Sequence, residues 1–81
     1  MPNQLTIGEL ISQSQGAMTS TAELAQRLGI RANTVYRHKY DANIPGAYTL
    51  RKYCHVLKIN DADMEAAAAE SRERRRRLRE E

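Results

Sequence analysis

The stretch from Thr21 to Tyr40, TAELAQRLGIRANTVYRHKY, restricts the possible fold more than any other part of the chain. Its apolar residues recur at the spacing that places side chains on one face of a helix. Gly29 divides the stretch, and glycine most readily takes the left-handed conformation that ends a helix. The pattern predicts a helix-turn-helix over residues 21–40 whose core positions are Leu24, Ala25, Leu28, Ile30 and Val35.

Ala25 is the most informative position in this motif. Two helices that cross at a steep angle bring their backbones close together, so a small side chain is needed near the crossing. Ala25 lies four residues before Gly29 and ten before Val35, where that crossing would fall. An unrelated pair of apolar helices can show the same spacing. The flanking segments are therefore needed to distinguish a helix-turn-helix from such a pair.

Length and composition favour a single small all-α domain. The chain has 81 residues, no tryptophan and no phenylalanine, and its apolar residues are mostly Leu, Ala and Ile at helical spacing. Cys54 is the only cysteine, which fits a reducing compartment. No apolar run approaches the ~18 residues of a membrane span and no signal peptide is recognisable, so we expect a soluble cytoplasmic protein.

Positive charge is concentrated in the first part of the chain. The formal net charge is +3; residues 1–58 hold seven Lys or Arg against three acidic residues, whereas residues 59–81 hold six Arg against seven acidic residues. The excess of positive charge therefore lies in the part of the chain that contains the helix-turn-helix, as expected of a protein with a face that binds phosphate.

Capping residues predict a helix before the motif and mark the start of the motif itself. Thr6 with Glu9 forms a Thr-x-x-Glu capping box, and Gly16 is expected to end the first helix. Ser20 with Glu23 forms a second box at the start of the motif. The remaining predictions for this segment are a short mobile lead at Met1 to Gln4 and an apolar face made of Ile7, Leu10 and Ile11.

A break and a fourth helix follow the motif. The second motif helix should run from about Ala32 to about Tyr40, and Pro45 prevents it from continuing through residues 41–46. A helix beginning near Ala47 then carries the strongest amphipathic stripe in the chain. Its expected core positions are Leu50, Tyr53, Cys54 and Leu57, and the residues expected to face water are Arg51, Lys52, His55 and Lys58.

Residues 61–81 are predicted to form a charged C-terminal helix or tail, next to a DNA-binding domain at residues 1–60. Alanine favours helix. Only Met64 and Ala66–Ala69 are expected to pack on the domain, so the region from about Ser71 onward is expected to project or fray. The pairs expected to stabilise this helix are Glu70 with Arg74 and Glu73 with Arg77.

The stretch from Thr19 to Asn60, about half of the chain, resembles the lambda-repressor and Cro-like helix-turn-helix family, often called the XRE family. The resemblance includes both the motif and the helix after it at the correct spacing. It implies a compact bundle of four or five helices that binds operator DNA as a homodimer, with the second motif helix in the major groove. The residues that carry it are Glu23, Leu24, Ala25, Leu28, Gly29, Thr34, Val35, Arg37, Pro45, Leu50, Lys52, Leu57 and Ile59.

The sequence departs from the family pattern at both ends of the second motif helix. Arg31 stands where the family commonly has a capping Ser or Thr, and His38 where it commonly has an apolar residue. Lys39, Tyr40 and Asp41 replace the family's Glu-Asn-Gly turn. His38 is expected at the surface or half-buried at the helix exit.

The exposed side of the second motif helix carries groups that can read DNA bases. Asn33 can pair bidentately with adenine, and Arg37 or Arg31 can do so with guanine. Ala32 can contact a thymine methyl group, and Tyr36 completes the set of candidate base contacts. The alternative interpretation of this face is an ordinary solvated polar surface.

Hydroxyl and basic groups around that face are candidate phosphate contacts. Thr19 and Ser20 precede the positive end of a helix, which favours anions. Thr34, Lys39 and Tyr40 lie further along the motif, and Thr34 has the alternative role of a local cap or packing residue.

Neither a metal site nor an active site is expected. His38, Cys54 and His55 lack the paired spacing of zinc ligands. No nucleophile with a nearby base and no glycine-rich phosphate loop is evident, and so small a chain offers little room for a catalytic pocket. We expect no enzymatic activity, no cofactor and no small-molecule substrate.

The arginine run from Arg74 to Arg77 has several possible uses. It could contact flanking phosphates, but a solvated helix tail balanced by neighbouring acids is the favoured interpretation. Dimerisation is a third use: an alanine face can pack against a partner, although the available apolar residues are too sparse for a coiled-coil seam. Those residues are Met64, Ala67, Ala68 and Leu78.

Together these features predict a sequence-specific DNA-binding transcriptional regulator, and the family resemblance implies, more specifically, a repressor that binds a palindromic operator as a homodimer. The alternative is an antitoxin-like or other protein-interaction module that uses the same fold to hold a partner protein. Nonspecific binding of nucleic acid through the arginine tail is a weaker alternative.

Overall fold

The computed structural model describes residues 4–16 and 19–80, with side chains up to residue 79. This part of the chain contains five helices and no strand, which confirms the all-α fold. Apart from Gln4, the expected mobile lead lies outside the described residues. The helices are α1 (Ile7–Gln15), α2 (Thr21–Leu28), α3 (Ala32–Lys39), α4 (Ala47–Leu57) and α5 (Asp61–Glu80).

All five helices contribute to one hydrophobic core. The predicted inward residues of α1 and of the helix-turn-helix are buried, except for Leu10 and Ile30, which are half-buried against the core. Ala25 keeps only 4% of its surface exposed, as a close crossing of α2 and α3 requires. Tyr53 of α4 is the largest wholly buried side chain. The core consists of Ile7, Ile11, Leu24, Ala25, Leu28, Val35, Tyr53, Met64, Ala67 and Ala68.

The predicted helix ends are confirmed by their hydrogen bonds. Thr6 Oγ1 accepts from the Glu9 N–H at 3.2 Å, and the Glu9 carboxylate accepts from the Thr6 N–H at 2.9 Å. Ser20 Oγ accepts from the Glu23 N–H at 3.1 Å, which is the first half of the second capping box. Gly29 ends α2 in the left-handed conformation at a φ of 73°.

His38 corrects the expectation of a surface or half-buried histidine. Only 6% of its surface is exposed, and its Nδ1 lies 2.8 Å from the Tyr53 hydroxyl oxygen. His38 follows Val35 by three residues and so shares its inward face, and the Tyr53 hydroxyl provides the polar partner that a buried imidazole needs. Burial lowers the pKa of His38 and raises the pKa of Tyr53 to about 12.

The expectation that the chain projects or frays from Ser71 onward is also wrong. Ser71 is 4% exposed, and its Oγ accepts from the Ile7 N–H at 2.9 Å. One turn later, the Arg75 guanidinium donates to the Ala42 carbonyl at 2.6 Å. Ser71 continues the inward stripe of Met64 and Ala68, and α1 begins beside it with N–H groups that lack a partner within their own helix. α5 is therefore docked on the domain as far as Arg75.

The ion pairs on α5 differ in part from the predicted ones. Arg74 pairs with Glu70 at 2.7 Å, as predicted. Glu73 pairs with Arg76 at 2.6 Å instead of with Arg77, which reaches Glu70 at 3.4 Å. Spacings of three and four residues both bring side chains together on a helix, so the choice between them depends on side-chain rotamers.

Lys52 does not simply face water as expected. It is half-buried, and its ammonium group donates to the Leu28 carbonyl at 3.1 Å, at the C-terminal end of α2. The same ammonium lies 4.7 Å from the centre of the Tyr48 ring. Lys52 therefore ties α4 to the turn of the helix-turn-helix.

Within residues 4–16 and 19–80, no helix is both long enough and apolar enough to cross a membrane.

Candidate nucleic-acid interface

The side of α3 opposite the core carries most of the candidate base-reading residues. Asn33, Tyr36 and Arg37 are exposed, and Tyr36 keeps 44% of its surface accessible. Arg31 occupies the N-cap position, is exposed, and makes no side-chain capping bond. Ala32 differs from the others because it is half-buried and packs against the core. Four of the five candidates thus lie together on an accessible surface at or beyond the start of α3.

The candidate phosphate contacts lie around this surface, with different degrees of access. Ser20 and Tyr40 are exposed, and Tyr40 keeps 78% of its surface accessible. Thr19, Thr34 and Lys39 are half-buried. The Ser20 hydroxyl already accepts the capping bond of α2, but it keeps its own O–H to donate to a phosphate oxygen.

Lys39 and two tyrosines form a small aromatic and basic cluster along the exit of α3. The Tyr36 and Tyr40 rings stack with centroids 6.4 Å apart, and Lys39 Nζ lies 5.7 Å from the Tyr36 ring centre. Lys39 Nζ also donates to the Thr21 hydroxyl at 3.3 Å, which joins α3 to the start of α2. These contacts hold the ammonium group beside the recognition surface.

The charge on this surface is uniformly basic. α3 contains no acidic residue, and its last turn carries the exposed Arg37 and the half-buried Lys39. The nearest acid in sequence, Asp41, directs its carboxylate into the protein, where it accepts from Thr6 Oγ1 at 2.7 Å and from the Gly8 N–H at 3.0 Å. An anionic backbone would therefore meet no carboxylate along α3.

The exit of α3 is fixed against α1 by a close backbone contact. A Cβ added to Gly8 would collide with the Lys39 carbonyl and lie 2.7 Å from the His38 carbonyl. Asp41 adopts a positive φ of 59°, which turns its carboxylate toward the N-terminus of α1. Asp41 and Gly8 together set where the recognition surface ends.

Neither of these positioning residues was predicted from the sequence. One signal could have identified Gly8: glycine has low helix propensity, so a glycine in the first turn of a helix often indicates close packing against another element. Asp41 gave none, because its partners Thr6 and Gly8 lie more than thirty positions earlier in the chain.

No curated protein and no solved structure matches the chain significantly. A family model described as the Cro/C1-type HTH DNA-binding domain matches residues 14–66, well over half of the sequence. That match covers the whole helix-turn-helix, α4 and the start of α5. This chain therefore belongs to the Cro/C1-type helix-turn-helix DNA-binding family.

Proposed function

We propose that this protein is a sequence-specific transcriptional regulator that binds a palindromic operator as a homodimer, with α3 in the major groove. Repression follows when the operator overlaps a promoter. The observation that carries the proposal is the exposed basic and amide surface of α3. Its opposite side is locked into the core by Val35 and His38, so the reading side chains are held on a rigid element.

Each reading side chain has a distinct chemical task. Asn33 pairs its amide with adenine, and Arg31 and Arg37 present bidentate donors to guanine. Tyr36 can donate its hydroxyl to a base acceptor. Ala32, half-buried at the edge of this surface, offers only its methyl group to thymine.

Phosphate contacts on either side of α3 would fix its position in the groove. Lys39 and Tyr40 lie at the exit of α3, and Thr19 and Ser20 lie at the N-terminus of α2, where the helix dipole favours anions. Thr34 is half-buried on α3 and offers a further hydroxyl. Such contacts supply affinity without sequence information.

The proposal of a homodimer rests on the size of the reading surface. The molecule measures 37 × 25 × 23 Å, and a single recognition helix contacts only a few base pairs. Two copies related by a two-fold axis read two half-sites about 34 Å apart, one helical turn of DNA. Symmetry therefore increases both affinity and specificity.

Selection of bound duplexes from a random library tests this function. We expect an enriched palindrome whose half-sites are about one helical turn apart, bound at least about 10³-fold more tightly than random DNA at physiological salt. Binding without any enriched sequence, lost steeply as salt rises, would contradict the proposal. That outcome would favour the antitoxin-like alternative, in which a protein partner is the main ligand.

A further inference from the structure

One arginine of α5 differs from its neighbours in its burial and in its partners. Arg75 is half-buried, whereas the other arginines of α5 are exposed. Within the part of the chain that the structure describes, Arg75 takes part in no ion pair, although its neighbours Arg74 and Arg76 both pair with acidic residues of α5. Arg75 therefore has a role other than balancing charge along its own helix.

The Arg75 guanidinium reaches the loop that follows α3. It donates to the Ala42 carbonyl at 2.6 Å and, more weakly, to the Asp41 carbonyl at 3.5 Å. Among residues 4–16 and 19–80, no backbone N–H donates to either of these carbonyls. An arginine of α5 thus supplies the hydrogen bonds for the first two residues after Tyr40, the C-cap of α3.

The same loop is held from a second side by α1. The Asp41 carboxylate accepts from Thr6 Oγ1 at 2.7 Å and from the Gly8 N–H at 3.0 Å. The positive φ of Asp41, 59°, is uncommon for a residue other than glycine, and such a conformation persists where surrounding contacts maintain it. α1 holds the side chain of Asp41, and Arg75 of α5 holds the backbone beside it.

A short chain of hydrogen bonds joins Arg75 to the reading surface. Arg75 donates to the Ala42 carbonyl, and the Ala42 N–H donates to the Arg37 carbonyl at 2.9 Å. The Asp41 N–H donates to the His38 carbonyl at 3.2 Å in the same turn. The residue that Arg75 holds is therefore bonded directly to the backbone of a candidate base reader.

We infer that Arg75 is a positioning residue for sequence reading, because by holding Ala42 it fixes the exit of α3 and the orientation of Arg37. Bidentate contacts with a base require the reading side chain to be held within about 0.5 Å of its productive position. Arg75 lies beyond residue 66, where the match to the family ends, so the unit that determines specificity extends further along α5. This inference rests on the proposed function and adds a residue of α5 to the groups that determine specificity.

Arg75→Ala tests this role through specificity as well as affinity. We expect the affinity for the selected operator to fall by about 10-fold or more and that for random DNA by less than about 2-fold, because a displaced α3 loses base contacts before phosphate contacts. Arg75→Lys should recover part of the difference, since its ammonium group can also donate to the Ala42 carbonyl. Anisotropy titrations of the full chain on both DNAs measure these affinities.

Arg79→Ala is the matched control for the loss of charge. It removes an arginine one turn further along α5, where the side chain is exposed and has no hydrogen bond or ion pair with the other described residues. The ratio of operator affinity to random-DNA affinity should stay unchanged in this variant. Circular dichroism should confirm that every variant is fully folded at the temperature of the titrations, so that a loss of stability alone does not alter the ratio.

Amide hydrogen exchange of the free protein tests the fixing of the α3 exit without DNA. In Arg75→Ala the Ala42 N–H should exchange at least about 10-fold faster, because opening of the loop no longer breaks a charged hydrogen bond. The Leu28 N–H, in the last turn of α2, should change less than the Ala42 N–H.

The outcomes separate this inference from the proposed function. Equal losses on operator and random DNA, with a salt slope lower by about 1, would mean that Arg75 contacts phosphate and would overturn the positioning role. An operator-to-random ratio that survives Arg75→Ala would overturn it as well. Unchanged exchange of the Ala42 N–H would show that Arg75 does not fix the exit of α3. A wild type that selects no operator would overturn the proposed function and the specificity role together, while the exchange measurement would still decide whether Arg75 holds the loop.

Discussion

Arg37 and Lys39 lie two residues apart on α3, yet their environments imply different contacts with DNA. Arg37 is exposed on the reading surface, whereas Lys39 is half-buried and bonded to Thr21. Replacing Arg37 with Ala should weaken binding to the selected operator by ~1–3 kcal/mol and relax the preference at one base pair. Anisotropy titrations on the operator and its single-base-pair variants measure both effects.

Lys39→Ala is expected to act without regard to sequence. Loss of one phosphate contact should weaken operator and random DNA alike and reduce the slope of log K against log salt by about 1. If Arg37→Ala instead lowers the affinity for operator and random DNA equally, the assignment of Arg37 as a base reader is wrong.

His38 makes stability depend on pH near neutrality. Burial lowers its pKa in the folded protein below the ordinary 6.5, so the unfolded chain binds more protons between these two values. The contribution of His38 to stability is therefore complete above about pH 6.5 and declines as the pH falls below it. Urea unfolding at several pH values between about 8 and 5 should show the decline.

Two histidine variants identify the group responsible. His38→Gln should flatten the dependence in this range, at some cost in stability from the altered contact with Tyr53. His55→Gln on the exposed side of α4 is the control substitution. An identical pH dependence in His38→Gln and wild type would contradict the assignment.

At the scale of helices, the contact of α1 with the exit of α3 determines how the recognition helix is placed. Gly8→Ala would gain up to about 1 kcal/mol of helix propensity. The new Cβ would however strike the backbone carbonyls of His38 and Lys39, which cannot rotate away as a side chain can. We expect net destabilisation of ~1–3 kcal/mol and a loss of operator specificity larger than the loss of nonspecific binding.

Gly46→Ala is the matched control for that substitution. Gly46 has a negative φ, and a Cβ there would meet nothing within 4 Å. Because Gly46 is the N-cap of α4 and alanine caps less well, thermal unfolding should show a loss of up to about 1 kcal/mol, whereas operator specificity should be unchanged. Equal operator specificity in the two alanine variants would mean that the α1–α3 contact does not position the recognition helix.

The docking of α5 depends on a single buried hydroxyl as well as on apolar contacts. Ser71→Ala leaves the buried Ile7 N–H without its acceptor, so it should destabilise the protein by ~1–3 kcal/mol. Ser12→Ala on the exposed side of α1 should change the free energy of unfolding by less than ~0.5 kcal/mol. Urea unfolding compares the two variants directly, and equal effects would show that the Ser71 bond contributes nothing.

Helix boundaries and most of the core could be predicted because their signals are local. The Thr6 and Glu9 capping box, the left-handed Gly29 and the small Ala25 each act over a few residues. Burial of His38 could not be predicted in this way, because it depends on the Tyr53 hydroxyl fifteen positions later. Docking of Ser71 depends on an N–H group sixty-four positions earlier.

The candidate site shows the same division. The polar residues of α3 were placed on its outer face by helical periodicity, and four of the five candidate base contacts are accessible there. Ala32 was expected on the reading surface, yet it is half-buried because it packs against the core at the start of α3. The contacts of Asp41 and Gly8 could not be predicted, because no local sequence pattern shows that the start of α1 meets the exit of α3.

At the scale of the whole molecule, the reading surface lies on α3, and the proposed homodimer has to leave both copies of this helix free. A substitution that weakens the dimer should therefore weaken operator binding by reducing the dimer concentration, with the preferred half-site unchanged. Operator titrations over a range of protein concentrations measure this effect.

The central claim is that α3 reads DNA sequence, and selection from a random duplex library with two proteins in parallel tests it most directly. The pair is the wild type and a variant carrying Asn33→Ala and Arg37→Ala, both exposed positions. We predict that the wild type enriches a palindrome and that the variant, still folded and still binding DNA at low salt, loses that preference. Recovery of the same site with equal enrichment from both proteins would contradict the account.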